Sequence, residues 1–357
     1  MSFGLYLHIP FCFSKCNYCN FYSSGDYNSV PDEYILALLR DIEKHNAHNP
    51  KTVYFGGGTP SLLSTTQVET LLKAISPQTN AEITLEVNPG TVSLNQLKGY
   101  KTAGVNRLSI GVQSAFNSQL KTLGRTHTAE DSVKCFLFAQ EAGFQNISGD
   151  IMLALPSYSS KEFDETLALI ERGNATHISC YLLKVEGGTP FYGMPLPLPS
   201  DDETADFYLY AVSRLSEKGY TQYEISNFAK PNFESKHNLV YWNCENYLGI
   251  GPAAHSCMNR KRFHYIECTD AFIKRPESPI IQDGIFTTEE YIMLQLRLNK
   301  GLSLTLLETL YGFVFSEKSV NKLSLFEKEG LCTIQNNIVH LTPEGMLIQN
   351  YILGEII

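Results

Sequence analysis

The feature that most narrows the fold is a regular alternation of two hydrophobic periods. Short β-rich runs at 4–9, 52–55, 82–87, 107–112, 147–153 and 177–185 are separated by stretches at 32–44, 65–75, 93–103, 129–142 and 160–171. The intervening stretches carry apolar residues at helical spacing, as in Ile35, Leu38, Leu39 and Ile42. Ser64, Ser93 and Thr128 sit just ahead of three of them as N-terminal caps. Gly104 and Gly143 follow two helix ends. Strands alternating with helices build successive βαβ units, hence an α/β chain around a parallel sheet. Six runs before the pattern changes favour a partial, TIM-like (β/α)6 barrel; a closed eight-fold barrel and a doubly wound sheet stay open as alternatives.

The pattern changes near residue 190, where Pro190, Pro195, Pro197 and Pro199 exclude helix and central strand. A helix at 202–217 and strand-like pieces at 222–225, 247–250 and 263–266 follow. The chain therefore divides into 1–190, the barrel; 191–287, its extension; and 288–357, a small C-terminal helical, winged-helix-like domain. In the last, helical patterns at 289–298, 304–310 and 317–329 precede a hairpin of 331–335 and 338–341. Asn336-Asn337 form its turn, since asparagine tolerates positive φ. A helix at 343–351 closes it. Lys300, Lys318, Lys322 and Lys328 are interspersed with acids, so no basic stripe marks a nucleic-acid partner.

Composition excludes some classes. Over 357 residues, 43% hydrophobic and 18% charged content can bury a sizeable core. A net charge of −9 argues against a nucleic-acid-coating role. No run reaches the ~18 apolar residues of a membrane span, and the N-terminus lacks a basic region followed by an apolar stretch. The expectation is a soluble, cytoplasmic protein.

Of nine cysteines, Cys12, Cys16 and Cys19 fall within eight residues as C-x3-C-x2-C, directly after the first strand; Cys135, Cys180, Cys244, Cys257, Cys268 and Cys332 are scattered. An odd count with one cluster is no secreted disulfide framework and points to metal or redox chemistry. Zinc wants a fourth protein ligand, and none lies at finger-like spacing. A four-iron cluster suits three thiolates better, with its fourth iron left for a non-protein ligand. Three coincidentally close buried thiols is the bland alternative.

Downstream motifs fall at the ends of successive strands. Phe55-Gly56-Gly57-Gly58-Thr59-Pro60 lets backbone approach a ligand. Glu86 ends the third strand and Gln113 the fourth, Arg125 follows, and Asp150 lies in the fifth. Strand-end polar residues converge on the top face of a barrel; each alone is as readily a satisfied structural hydrogen bond.

The trio with Tyr18 before its last cysteine, on the first loop of a βα barrel, resembles the radical S-adenosylmethionine (SAM) enzymes. The resemblance implies a [4Fe–4S] cluster on Cys12, Cys16 and Cys19. It also implies SAM chelating the fourth iron, and an electron from the cluster that splits SAM into methionine and a 5′-deoxyadenosyl radical. The string His8-Ile9-Pro10-Phe11-Cys12 with the motifs above is similar to one branch, the oxygen-independent coproporphyrinogen III oxidase family, over nearly the whole chain. That likeness implies SAM contacts for Tyr6, Gly57, Gly58, Thr59, Glu86, Gln113, Arg125 and Asp150.

Within that family the oxidases carry a further cysteine two residues after the trio, where this chain has Phe21, and a long arm before the first strand, which here begins at Gly4. The chain instead resembles the HemW-type haem chaperones, whose H-N-x-x-Y-W hallmark reads His237-Asn238-Leu239-Val240-Tyr241-Trp242 and contains the only Trp. The resemblance implies haem as cargo, with His237 offering an imidazole to the iron and Tyr241 and Trp242 flat apolar faces. The bland reading is a loop whose aromatics pack on the barrel. His255, in Ala254-His255-Ser256, is a second candidate; no C-x-x-C-H attachment motif is present. The implied partners are haem, a haem-acceptor protein and an electron donor such as flavodoxin or ferredoxin. SAM cleavage is within such a protein's means. The alternative is a coproporphyrinogen oxidase performing radical decarboxylation; a radical enzyme unconnected with haem is a third reading.

Overall fold

The computed structural model describes residues 2–275 and 279–357; Met1 and three positions within 191–287 lie outside them. The first half runs β1 (Gly4–Ile9), α1 (Asp32–Lys44), β2 (Thr52–Gly57), α2 (Thr65–Ile75), β3 (Glu82–Val87), α3 (Leu94–Ala103), β4 (Arg107–Gln113), α4 (Asn117–Thr122), α5 (Ala129–Glu141), β5 (Asn146–Leu153), α6 (Ser160–Arg172) and β6 (His177–Leu182). Then come α7 (Asp201–Glu217), β7 (Thr221–Glu224), β8 (Asn227–Ala229), α8 (Lys236–Trp242), β9 (Tyr247–Ile250), β10 (His255–Met258), β11 (Lys261–Tyr265), α9 (Thr269–Lys274) and β12 (Ile280–Ile285). The C-terminal unit holds α10 (Thr288–Leu296), β13 (Leu302–Ser303), α11 (Leu304–Tyr311), α12 (Glu317–Lys328), β14 (Cys332–Gln335), β15 (Ile338–Leu341), α13 (Pro343–Leu347) and α14 (Gln349–Ile356).

β1 to β6 pair in parallel and in sequence order, an open (β/α)6 barrel. The odd residues of β1, Leu5, Leu7 and Ile9, are fully buried against the helix layer. Tyr6 and His8 alternate onto the other, lumen-facing side, as the period of a strand requires. The caps fall where the sequence put them. Ser64 accepts from the Gln67 N–H, Ser93 from that of Gln96 and Thr128 from that of Asp131, and Gly104 ends α3 at φ +116°.

The sheet runs past the six units in a way the periodicity did not show. β9 lies parallel to β1 on its open side, and β10, β11 and β12 continue from it antiparallel. β8 and β7 close the other edge beside β6, also antiparallel. The proline stretch contains a single 3-10 turn, Pro190–Gly193, which Pro190 starts without loss because its missing N–H is not needed there. Instead of one closing helix, the chain breaks at Ile348 into α13 and α14. The hairpin turn has Asn336 and Asn337 at φ +52° and +60°, and β13 pairs with β15 to make its sheet three-stranded.

The H-N-x-x-Y-W segment is helix α8, not a loop, and it plugs the lumen from below. Its first N–H groups, those of Lys236 and His237, donate to the Glu82 carboxylate at 3.2 and 3.0 Å, so a barrel residue caps the helix. Gly4 makes room for it: a Cβ there would sit 3.3 Å from the Val240 side chain. Among the described residues, no helix is long and apolar enough to cross a membrane.

Candidate active site

The three cysteines sit on the β1–α1 loop, which neighbouring backbone holds from three sides. Cys12 N–H donates to the Ser24 carbonyl at 2.8 Å, and Tyr27 N–H donates to the Cys12 carbonyl at 3.0 Å. Asn17 ties the middle of the loop to Thr122 and Leu123 through its side-chain amide and its own N–H, both at 2.9 Å. From the β2 side, Gly58 N–H donates to the Ile9 carbonyl and Thr59 N–H to that of Phe11, both at 2.8 Å.

The glycines that end and follow β2 are required by this approach. A Cβ on Gly58 would lie 2.8 Å from the Phe11 carbonyl oxygen and 3.0 Å from Cys12 Sγ; one on Gly57, at φ +113°, would strike the His8 ring at 2.6 Å. Gly58→Ala is expected to cost about 1–3 kcal/mol and to lower iron retention by pushing the cysteine loop outward. Thermal unfolding and iron content check it, with Gly187→Ala, which meets nothing within 4 Å, as the control.

The cysteines and the strand ends open onto one cavity of about 440 Å³. Cys12, Cys16, Cys19, Gly57, Gly58, Thr59, Glu86, Gln113, Arg125 and Asp150 all border it. Burial pushes the Cys12 and Cys19 thiols up. Gln113 takes φ +64°, an uncommon conformation for a side chain of this size, as β4 turns over the cavity rim. Arg125 donates to Asn88 Oδ1 at 2.7 Å and stands 6.0 Å from the Tyr18 ring centre, while its Nε finds no partner. Asp150 accepts from Ser109 and Ser148, each at 3.2 Å, and burial raises its carboxyl.

Tyr6 lies one step deeper. His8 Nε2–H donates to the Tyr22 carbonyl at 2.8 Å, so its Nδ1 accepts from Tyr6 OH at 2.9 Å. Burial holds His8 neutral, with its pKa lowered to about 4.

Glu86 accepts from Tyr54 OH at 2.9 Å and from Gly57 N–H at 3.2 Å. Burial still dominates and raises its carboxyl to about 7. A folded-state pKa above the ordinary value means the protonated form is favoured by folding. That stabilisation is complete below about 4.5 and is lost as pH rises through about 7. The loss is about 3 kcal/mol at most. Unfolding of the ligand-free chain at stepped pH should therefore show wild type losing ground to Glu86→Gln across that window. A pH-independent difference between the two would refute the shift.

The haem candidates are dispersed. His237 is buried, its Nδ1 2.8 Å from Thr52 Oγ1 and its Nε2 2.7 Å from Tyr241 OH, and its ring stacks on Tyr54 at 5.1 Å. In this arrangement neither ring nitrogen is free. His237 and Tyr241 border a second cavity of about 200 Å³ shared with Tyr6 and Phe21. Trp242 lies at the C-terminal unit, with Arg297 4.3 Å over its ring. His255 is exposed on β10, away from both cavities, stacked 4.7 Å from His264 and beside Asp283.

The sequence matches the Radical SAM superfamily over residues 6–170 and the HemN C-terminal domain over residues 288–348. It is 36% identical to "Heme chaperone HemW" of Bacillus subtilis (strain 168), over 98% of this chain and 97% of that one. The HemW of Lactococcus lactis subsp. lactis (strain IL1403) is 33% identical over 97% and 94% of the two chains. This chain belongs to the HemW family. Among solved structures, coproporphyrinogen III oxidase (HemN) from Escherichia coli, described as a radical SAM enzyme, superposes with a TM-score of 0.82. It covers 99% of this chain and 89% of its own at 22% identity, a likeness of fold alone.

Radical SAM membership implies a [4Fe–4S] cluster and SAM. The HemW-family cavity fits them in kind: three thiols on one loop, a glycine cradle that a Cβ would fill, and a half-buried arginine whose enclosed Nε has no partner. Residues that motif reading passed over share this cavity. Tyr54 and Asn88 orient Glu86 and Arg125, and Arg107 reaches it from the first position of β4. Tyr54 precedes the glycine run by two residues and so shares a face with Gly56, the one signal that would have found it.

Proposed function

We propose that this chain is a haem chaperone on a radical SAM core. Cys12, Cys16 and Cys19 hold a [4Fe–4S] cluster whose fourth iron is left for SAM, and haem is cargo for an acceptor protein. The observation that carries this reading is the opening of the cysteine loop and four successive strand ends onto one cavity in a HemW-family chain. Bound together, the cluster and SAM supply one-electron cleavage of a sulfonium.

The chain's own residues bind and orient. Gly57, Gly58 and Thr59 bring backbone to the methionyl amino end. Glu86 and Asp150 accept from ammonium or ribose hydroxyls, Arg125 pairs a carboxylate, and Tyr6 and Gln113 border the same ligand. An electron donor of the flavodoxin or ferredoxin kind feeds the cluster. All nine cysteines are free, which suits a reducing cytoplasm. Asp150→Ala is expected to weaken SAM binding without removing iron; an unchanged SAM affinity removes this residue from the cofactor site.

For haem, the candidates are His237, Tyr241, Trp242 and His255. Burial keeps His237 neutral, with a pKa lowered to about 3, so its lone pair survives at any working pH once Tyr241 swings away from Nε2. Haem titration of His237→Ala and His255→Ala, followed at the Soret band, tells which imidazole serves. Anaerobically reconstituted protein should bind haem and leave coproporphyrinogen intact with SAM and reductant present. A decarboxylated product overturns the chaperone reading in favour of an oxidase.

A further inference from the structure

Arg107 is the first residue of β4, and its side chain is 2% exposed. Buried arginines are normally paired, because an uncompensated guanidinium away from water is costly. This one makes no hydrogen bond or ion pair with any described residue, and its Nε is fully enclosed without an acceptor. It borders the large cavity together with Glu86 and Asp150, yet both carboxylates stay beyond ion-pair distance and spend their oxygens elsewhere. Glu86 takes Tyr54 and Gly57; Asp150 takes Ser109 and Ser148. Below it, His177 is hydrogen-bonded to Ser148 and Tyr223, and His237 to Thr52 and Tyr241. Burial holds both rings neutral, so neither adds nor cancels charge. The lumen floor thus presents one buried cationic fork facing open volume.

We propose that Arg107 anchors a carboxylate-binding subsite at the floor of the lumen, beneath the cysteine loop. A planar monoanion matches the guanidinium fork in shape, and the flanking Glu86 and Asp150 disfavour a more highly charged group such as a phosphate. The proposal deepens the reading above and rests on it for the molecule that brings a carboxylate here, haem through a propionate; the SAM carboxylate belongs with Arg125 near the cysteine loop.

The test uses the full chain, reconstituted anaerobically. Dissociation constants are measured for SAM, decarboxylated SAM, haem and haem dimethyl ester, with wild type, Arg107→Met and Arg107→Lys. The expected result is a loss of roughly 10-fold or more for haem in Arg107→Met, the size of a charged hydrogen-bonded pair, with partial recovery in Arg107→Lys. The dimethyl ester should bind wild type and Arg107→Met alike while haem does not. SAM weakening in Arg107→Met with both haem forms unmoved overturns the propionate subsite. Should Arg107→Met fail to fold, wild type alone decides: haem dimethyl ester binding as tightly as haem overturns the subsite. Wild type binding both acids with an unchanged Arg107→Met overturns it while leaving the chaperone reading intact. Wild type binding neither acid overturns both.

Discussion

Cys16→Ala is expected to abolish the visible iron–sulfur absorbance of the reconstituted protein and to leave it with little bound iron. One thiolate of three is removed from a site that has no spare protein ligand at finger-like spacing. The loop offers no compensation. Its backbone is fixed to Ser24, Thr122, Leu123 and the glycine run, so another residue cannot slide into register. Cys135 and Cys180 are buried in the barrel wall, and Cys332 lies in the C-terminal unit. The fold should survive, since Cys16 is half-buried and outside the apolar core. Iron content and absorbance after reconstitution decide it, with Cys135→Ala as the comparison. Full iron in Cys16→Ala would show that the site is not a three-thiolate cluster.

The second large effect concerns how the C-terminal unit is held. Glu224, at the end of β7, is fully buried. One of its oxygens accepts from the Ser226 N–H at 3.0 Å and from Asn227, and the other pairs with Arg297, which follows α10. Arg297 also lies over Trp242, so one guanidinium links barrel extension, lumen helix and C-terminal unit. Arg297→Ala leaves the buried Glu224 charge without a partner, and breaking a buried pair from one side costs about 3–5 kcal/mol. Urea unfolding should show that loss as a lower midpoint. Glu224→Gln combined with Arg297→Met should recover most of it, because no unpaired charge remains. A single-variant loss under about 1 kcal/mol, the value of an exposed pair, would mean that water reaches Glu224.

No local spacing encodes this pair, because its partners lie 73 residues apart in different units. Arg107 is illegible in the sequence for a related reason. At the head of a strand an arginine reads as a solvated end, and only closure of the barrel around it makes it buried. His237 shows the same limit from the other side. Its motif was legible, but its burial under Thr52 and Tyr241 follows from α8 entering the lumen, which no local spacing encodes. β9 is four residues long and joins β1 from across the chain, so periodicity gave no hint of its parallel pairing.

By itself the amino-acid sequence determined what is local. The alternating strands and helices, the serine and threonine caps, the Asn336-Asn337 turn and the spacing of the cysteine trio all rest on contacts between near neighbours. Side-chain period, backbone sterics and cap hydrogen bonds act over a few residues, and a string of letters records them directly. Tertiary structure alone decided which charges were removed from water and what faced them. Desolvation and long-range pairing depend on which strands close around a side chain. That closure left Arg107 without a partner, gave Glu224 one, and raised the carboxyl of Glu86 to about 7.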